Sequence, residues 1–93
     1  MIAEPRASFV RDLKKRGMNP EEREVLRDFL NDLTEGVDLV DRYGEHELID
    51  DWAGYLECHL ADDWLVIYRR FRDRVVLYRT GTHKELFDHV LKR

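Results

Sequence analysis

A chain of 93 residues that is 43% hydrophobic and 11% aromatic has material for one core, so a single domain over residues 1–93 is expected. Its one cysteine, Cys58, excludes a disulfide framework and a Cys-based zinc site, and no apolar run approaches the roughly 18 residues that cross a bilayer. The net charge of −4 argues against a simple polyanion binder, but it is segregated: residues 1–20 balance to +3, residues 21–63 to −12 and residues 64–93 to +5. Basic ends brought together would attract phosphate; a solvated basic surface with no ligand reads the same composition more plainly. The start Met1-Ile2-Ala3-Glu4-Pro5-Arg6 lacks the apolar stretch of a signal peptide, so a cytoplasmic protein with no membrane contact is expected.

Residues 1–5 are short and polar, and Pro5 confines any strand there to an edge or an end. A first helix is predicted from Arg6 to Arg16, with Phe9, Val10 and Leu13 on one face, Lys14 to Arg16 at its negative end and Gly17 as its stop. A second helix opens with Asn19 as cap, Pro20 at its first position and Glu21 and Glu22 in its first turn. Its apolar stripe is Val25, Leu26, Phe29, Leu30 and Leu33, and Gly36 ends it. Residues 37–53 lack a clear period and read as loop. Strands follow at Gly54–Leu60, Trp64–Tyr68 and Arg74–Arg79, with connections short enough for antiparallel neighbours. Thr82 and Glu85 form a capping box for a last helix whose apolar face is Leu86, Phe87, Val90 and Leu91. The predicted class is α+β: a helical hairpin packed on a small antiparallel sheet, closed by a short C-terminal helix.

Four histidines carry the chemical interest: His46, His59, His83 and His89. A lone histidine is usually a surface or core residue, but His46 falls in a predicted loop and His83 opens a helix after Thr80-Gly81-Thr82, where functional side chains collect. The intervals between the histidines match no recognised metal-ligand spacing, so neither a metal nor another cofactor is expected. In the predicted strand Cys58 and His59 point to opposite faces, which breaks a Cys–His pair and leaves Cys58 as a small core residue. Acid–base cleavage of RNA needs neither metal nor protein nucleophile, because the ribose 2′-hydroxyl attacks the adjacent phosphate. Imidazoles suit the two proton transfers, and a guanidinium such as that of Arg79 suits the phosphate charge.

The runs Glu57-Cys58-His59-Leu60-Ala61-Asp62-Asp63-Trp64-Leu65-Val66-Ile67-Tyr68 and Arg79-Thr80-Gly81-Thr82-His83-Lys84-Glu85-Leu86-Phe87 resemble the central strands and C-terminal signature of the YafQ-type toxins of the RelE/ParE superfamily. Tyr43-Gly44-Glu45-His46-Glu47-Leu48, Gly54-Tyr55 and Phe9-Val10-Arg11-Asp12-Leu13-Lys14 extend the likeness over almost the whole chain. Glu47 departs from it, since Pro commonly follows the histidine in that loop; the N-terminal strand is also short. The resemblance implies a toxin of a type II toxin–antitoxin system that cleaves messenger RNA in the ribosomal decoding site, blocking translation and growth. It implies His46, His59, Asp63 and His83 as the acid–base set, with Asp63 orienting an imidazole, and Arg79 as the phosphate-stabilising cation. Trp64 and Phe87 become groups that shape the site or stack on a base, although each also suits plain core; His89 matches no motif. The implied partner is a cognate antitoxin with a dimeric ribbon-helix-helix part, through which alone the complex would reach operator DNA. A ParE-like gyrase inhibitor, which would lack the histidine set, and an inactive toxin fold that only binds its antitoxin remain as alternatives. The acidic segment Asp38 to Asp63 keeps the latter open, because carboxylates repel phosphate.

Overall fold

The computed structural model describes the backbone of residues 1–91 and the side chains of residues 1–87. Its elements in chain order are β1 (Ile2–Pro5), α1 (Ala7–Arg16), α2 (Pro20–Glu35), α3 (Val40–Tyr43), β2 (His46–Glu47), a 3-10 turn (Asp50–Trp52), β3 (Leu56–Ala61), β4 (Trp64–Arg70), β5 (Arg74–Gly81) and α4 (His83–Leu91). The side chains of His89, Val90 and Leu91, placed above on the last helix, lie outside the described residues.

The five strands form one sheet in the order β1-β5-β4-β3-β2. Its pairings are antiparallel except the outer one, where β1 runs parallel to β5. The sheet is therefore mixed rather than antiparallel. Residues 2–5 supply the parallel strand that their polarity hid, and Pro5 ends it on the edge, where a missing N–H is tolerated. β1 covers β5 only as far as Leu77. Beyond it, α1 takes over that edge: Ser8 Oγ donates to the Tyr78 carbonyl at 2.6 Å, and the Thr80 N–H donates to Asp12 Oδ2 at 3.1 Å.

The helices begin and end as their terminal residues dictate. Asn19 and Glu22 exchange side-chain and backbone hydrogen bonds at 2.8 and 3.1 Å in a complete capping box. Arg16 Nη2 reaches Glu22 Oε2 at 2.8 Å, ties α1 to α2, and holds the Glu22 carboxyl below its usual range. Phe9, Leu26, Phe29 and Leu33 face one side of the sheet and bury Cys58, Trp64, Val66, Tyr68, Val75 and Leu77 against it. Residues 37–53 are less of a loop than expected. Leu39 and Tyr43 enter this core through α3, and the Tyr43 hydroxyl donates to Asp32 Oδ2 at 2.6 Å. Burial and that bond push the Tyr43 phenol up to about 12.

The opposite side of the sheet carries a second, smaller apolar cluster. Leu65, Ile67 and Leu86 are buried there, flanked by Leu48, Trp52, Tyr55 and Phe87. This cluster covers only part of the face and leaves the end near β2 and β3 open to polar side chains.

Candidate functional site

Sheet register assembles the site. His46 pairs with Glu57, Glu57 with Ile67, and Ile67 with Arg79, so four neighbouring strands contribute one row. Directly paired residues point to the same face, and this is the face away from α1 and α2. His59 follows Glu57 by two residues and so shares its face. Cys58, between them, is fully buried on the other side, where its thiol lies 3.1 Å from the Tyr68 hydroxyl and burial pushes it up to about 12. That thiol is no nucleophile at neutral pH.

Glu57 occupies the centre. It is 3% exposed, and Oε1 lies 3.1 Å from His59 Nε2 and 3.4 Å from His46 Nε2. Sequence reasoning passed over this carboxylate, although strand alternation with His59 was the signal that could have found it. His46 Nδ1 donates to the Gly44 carbonyl at 2.9 Å, so its Nε2 is the atom turned toward Glu57. The contact is attractive only when a proton sits between those two atoms. Gly44, at φ 63°, makes the left-handed turn that delivers His46. The loop is fastened by Glu45, whose carboxylate accepts from the Tyr68 hydroxyl and, at 2.8 Å, from Arg70 Nη2.

His83 arrives from the other end of the site as the first residue of α4. Its backbone N–H and its Nδ1 both lie 3.0 Å from Asp63 Oδ1 in the β3–β4 turn. These bonds, the backbone one first, hold the Asp63 carboxyl below its usual range. With Nδ1–H given to a carboxylate, the proton His83 can exchange with a ligand is the one on Nε2. Thr82 and Glu85 form the expected capping box, with reciprocal bonds of 2.8 and 3.1 Å. Gly81 permits it, since a Cβ there would stand 2.8 Å from Glu85 Oε1.

The rings follow one another across the face. His46 and His59 have centroids 6.1 Å apart, His59 and His83 5.5 Å, and His83 and Phe87 6.2 Å. Beside them opens a cleft of about 360 Å³ whose lining includes His46, Glu57, His83, Phe87 and Trp52. Of the expected set, His46, His59, Asp63, His83 and Phe87 thus come together. Trp64 does not. It is 1% exposed in the helix-side core, its Nε1–H donates to Thr80 Oγ1 at 2.9 Å, and the Arg16 guanidinium covers its ring at 4.0 Å. Stacking on a base is closed to it, because β4 turns Trp64 and Leu65 to opposite faces. Trp52, which sequence reasoning left in a loop, supplies the second aromatic wall, edge-on to Phe87 at 6.3 Å. Arg79 starts on the imidazole face, but its guanidinium is engaged by Asp12, with Nε–Oδ2 at 2.7 Å and Nη2–Oδ1 at 3.3 Å. Several carboxylates of the acidic segment are used in place: Glu57 and Asp63 in the site, Glu45 in its anchor.

His46, Glu57 and His59 also offer three donor atoms within 4.8 Å of one another, a set that suits a transition-metal ion. The spacing of the histidines along the chain concealed it, because the β2–β3 register, not sequence distance, brings them together.

The family model described as "Bacterial toxin of type II toxin-antitoxin system, YafQ" matches residues 1–88. The chain belongs to this family. It is 40% identical over 45 residues to the mRNA interferase toxin YafQ of Escherichia coli, a match spanning 48% of this chain and 49% of that protein. The chain therefore spans about half the length of the curated relative it matches. Among solved structures, a copper-bound mutant toxin from Helicobacter pylori has a TM-score of 0.82 at 28% identity, covering 94% of this chain and 99% of that one. A chain of the E. coli DinJ-YafQ toxin-antitoxin complex has a TM-score of 0.75 at 28% identity, covering 91% of this chain and 94% of that one. As in other members of the family, two long helices lie on one face of the sheet. No helix among the described residues is long and apolar enough to cross a membrane.

Proposed function

We propose that this YafQ-family chain is an endoribonuclease toxin that cleaves messenger RNA in the ribosomal decoding site by acid–base chemistry, arresting translation. The observation that carries the reading is the arc of three imidazoles with Glu57 buried between two of them and Asp63 bonded to the third. The Glu57–His59 pair, with His46 beside it, accepts the 2′-hydroxyl proton. His83, oriented by Asp63, gives its Nε2 proton to the departing 5′-oxygen. The 2′-oxygen then bonds to phosphorus as the P–O5′ bond breaks, leaving a 2′,3′-cyclic phosphate and a 5′-hydroxyl. Arg79 stabilises the charge on the phosphorane, and Phe87 and Trp52 hold a base flanking the scissile bond. An open cleft on a small domain suits a substrate presented by a larger assembly.

The partner in this reading is a cognate antitoxin carrying a ribbon-helix-helix part, which covers the cleft and alone confers operator binding. The DinJ-YafQ complex supports an antitoxin of some kind. The decisive experiment incubates antitoxin-free protein with translating ribosomes and maps new mRNA ends. Cleavage with cyclic-phosphate termini is expected. Intact mRNA together with inhibited gyrase, or with no effect beyond antitoxin binding, would replace the reading with one of its rivals.

A second reading concerns the same atoms. The donor set of His46, Glu57 and His59, and the copper carried by the H. pylori relative, support metal binding here. An ion there would occupy the lone pairs needed for proton transfer, so copper or zinc inhibits cleavage. Titration with either metal checks this, and unchanged cleavage at saturating metal would remove it.

A further inference from the structure

Arg79 has the side chain whose role the structure complicates most. Its backbone stands in the same row as His46 and Glu57, on the far side of Ile67, so two strand spacings, roughly 10 Å, separate it from Glu57. Its guanidinium nonetheless reaches outward to α1. The partner there, Asp12, is itself fixed. Its side chain is 17% exposed, and Oδ2 accepts the Thr80 N–H as well as Arg79 Nε. Thr80 is buried, and its hydroxyl donates to the Leu65 carbonyl at 2.7 Å while accepting from Trp64. One residue of α1 thus completes the edge of β5 where β1 stops and grips the guanidinium leaving that edge.

The grip is one-sided. Asp12 takes the Nε/Nη2 edge, and a guanidinium carries a second pair of N–H groups on its Nη1/Nη2 edge that matches two phosphate oxygens. The Arg79 side chain remains 33% exposed while so held. A long side chain pinned in one orientation loses less freedom when a phosphate arrives, and a donor fixed in place stabilises developing charge without reorganising. The cost is charge, since Asp12 offsets the attraction of Arg79 for the phosphate of the bound substrate.

We propose that Asp12 is a positioning residue for the reaction: it holds the Arg79 guanidinium by its Nε edge so that the opposite edge meets the scissile phosphate. This rests on the reading of Arg79 as the phosphate-stabilising group. The bound phosphate and the phosphorane differ in charge, so the two kinetic constants separate. Asp12→Asn keeps an acceptor for the Thr80 N–H but frees the guanidinium. It lowers kcat about tenfold to hundredfold while KM stays level or falls, because a repelling charge has gone.

The test is a double-mutant cycle on purified protein, with cleavage of ribosome-bound mRNA as the kinetic readout and thermal unfolding as the control. Expected are a loss of kcat in Asp12→Asn, a larger loss in Arg79→Ala, and no further loss in the double variant. Arg79→Lys, which has no second N–H edge, behaves like Arg79→Ala. The Arg79 Nε–H resonance, slowed in exchange by the carboxylate, moves and broadens in Asp12→Asn. Multiplicative losses in the double variant, or a rise in KM matching the fall in kcat, would overturn the proposal. Full activity in Arg79→Lys would also overturn it, by showing that charge alone suffices. Should Arg79→Ala cleave normally, the reading of Arg79 itself has failed, a result separate from any effect of Asp12→Asn.

Discussion

The two faces of the sheet share the central strands β3, β4 and β5 and behave oppositely. Toward α1 and α2, β3 shows Leu56, Cys58 and Leu60, and the face is apolar with Phe29 and Leu33 wholly buried against it. Toward the cleft the same strand shows Glu57 and His59, and the buried cluster there is small: Leu65, Ile67 and Leu86. One face can be filled at native density because its few polar groups, such as the Thr80 hydroxyl and the Trp64 indole N–H, satisfy one another or the backbone. The other carries a carboxylate that imidazoles, not solvent, must satisfy. Stability should therefore reside mainly on the helix side and chemistry on the other, with the anchors between them mixing both.

The strongest way to break that division is Phe29→Ala. Removing the wholly buried ring that α2 packs against Tyr43 and Tyr68 should cost about 3–5 kcal/mol. Denaturant unfolding should show it, and cleavage should fall only as far as folded protein is lost. On the opposite face, His83→Ala should lower cleavage by about 100-fold or more while leaving the unfolding midpoint and antitoxin affinity nearly unchanged. A fully toxic His83→Ala would remove that residue from the acid role. Glu57→Gln should be similarly inactive and no less stable than the parent, since it removes a buried charge and keeps the volume; a stable, active variant would return Glu57 to a structural part.

Tyr68→Phe sharpens the boundary. It deletes the hydroxyl that links Cys58 in the core to Glu45 in the His46 loop. A loss of about 1–3 kcal/mol is expected, with a reduction of kcat because the His46 loop loosens; unaltered kcat would show that Arg70 alone anchors Glu45. The smallest effect concerns acid. The folded Asp63 carboxyl titrates below the ordinary aspartate value of about 3.9, because the His83 backbone N–H and then its ring favour the charged form. Its contribution to docking α4 is therefore complete above that value and disappears as pH falls through the lowered one. Asp63→Asn should flatten this low-pH loss in thermal unfolding, and an unchanged profile would detach Asp63 from α4.

Much of the helical hairpin was legible because its signals are local. Asn19, Pro20, Glu22 and Gly36 act within a turn or two of their own position, and the stripe of Leu26, Phe29 and Leu33 repeats at helical period. Strands β4 and β5 were legible from β-branched runs, and the capping box of Thr82 and Glu85 from its spacing. β1 was not, since four residues with Glu4 and Pro5 have no pattern until β5 stands beside them. α3 stayed hidden because Leu39 and Tyr43 are too few to set a period.

By itself the order of residues determined the α+β class, the helix ends and the presence of imidazoles in a strand and at a helix start, since each depends on neighbours along the chain. Tertiary structure alone decided that Glu57 joins His46 and His59, that Trp64 goes to the core while Trp52 reaches the cleft, and that Asp12 meets Arg79. Those outcomes are set by strand register and by where α1 lands on an exposed sheet edge. Both depend on contacts between residues far apart in the chain, which no short-range pattern encodes.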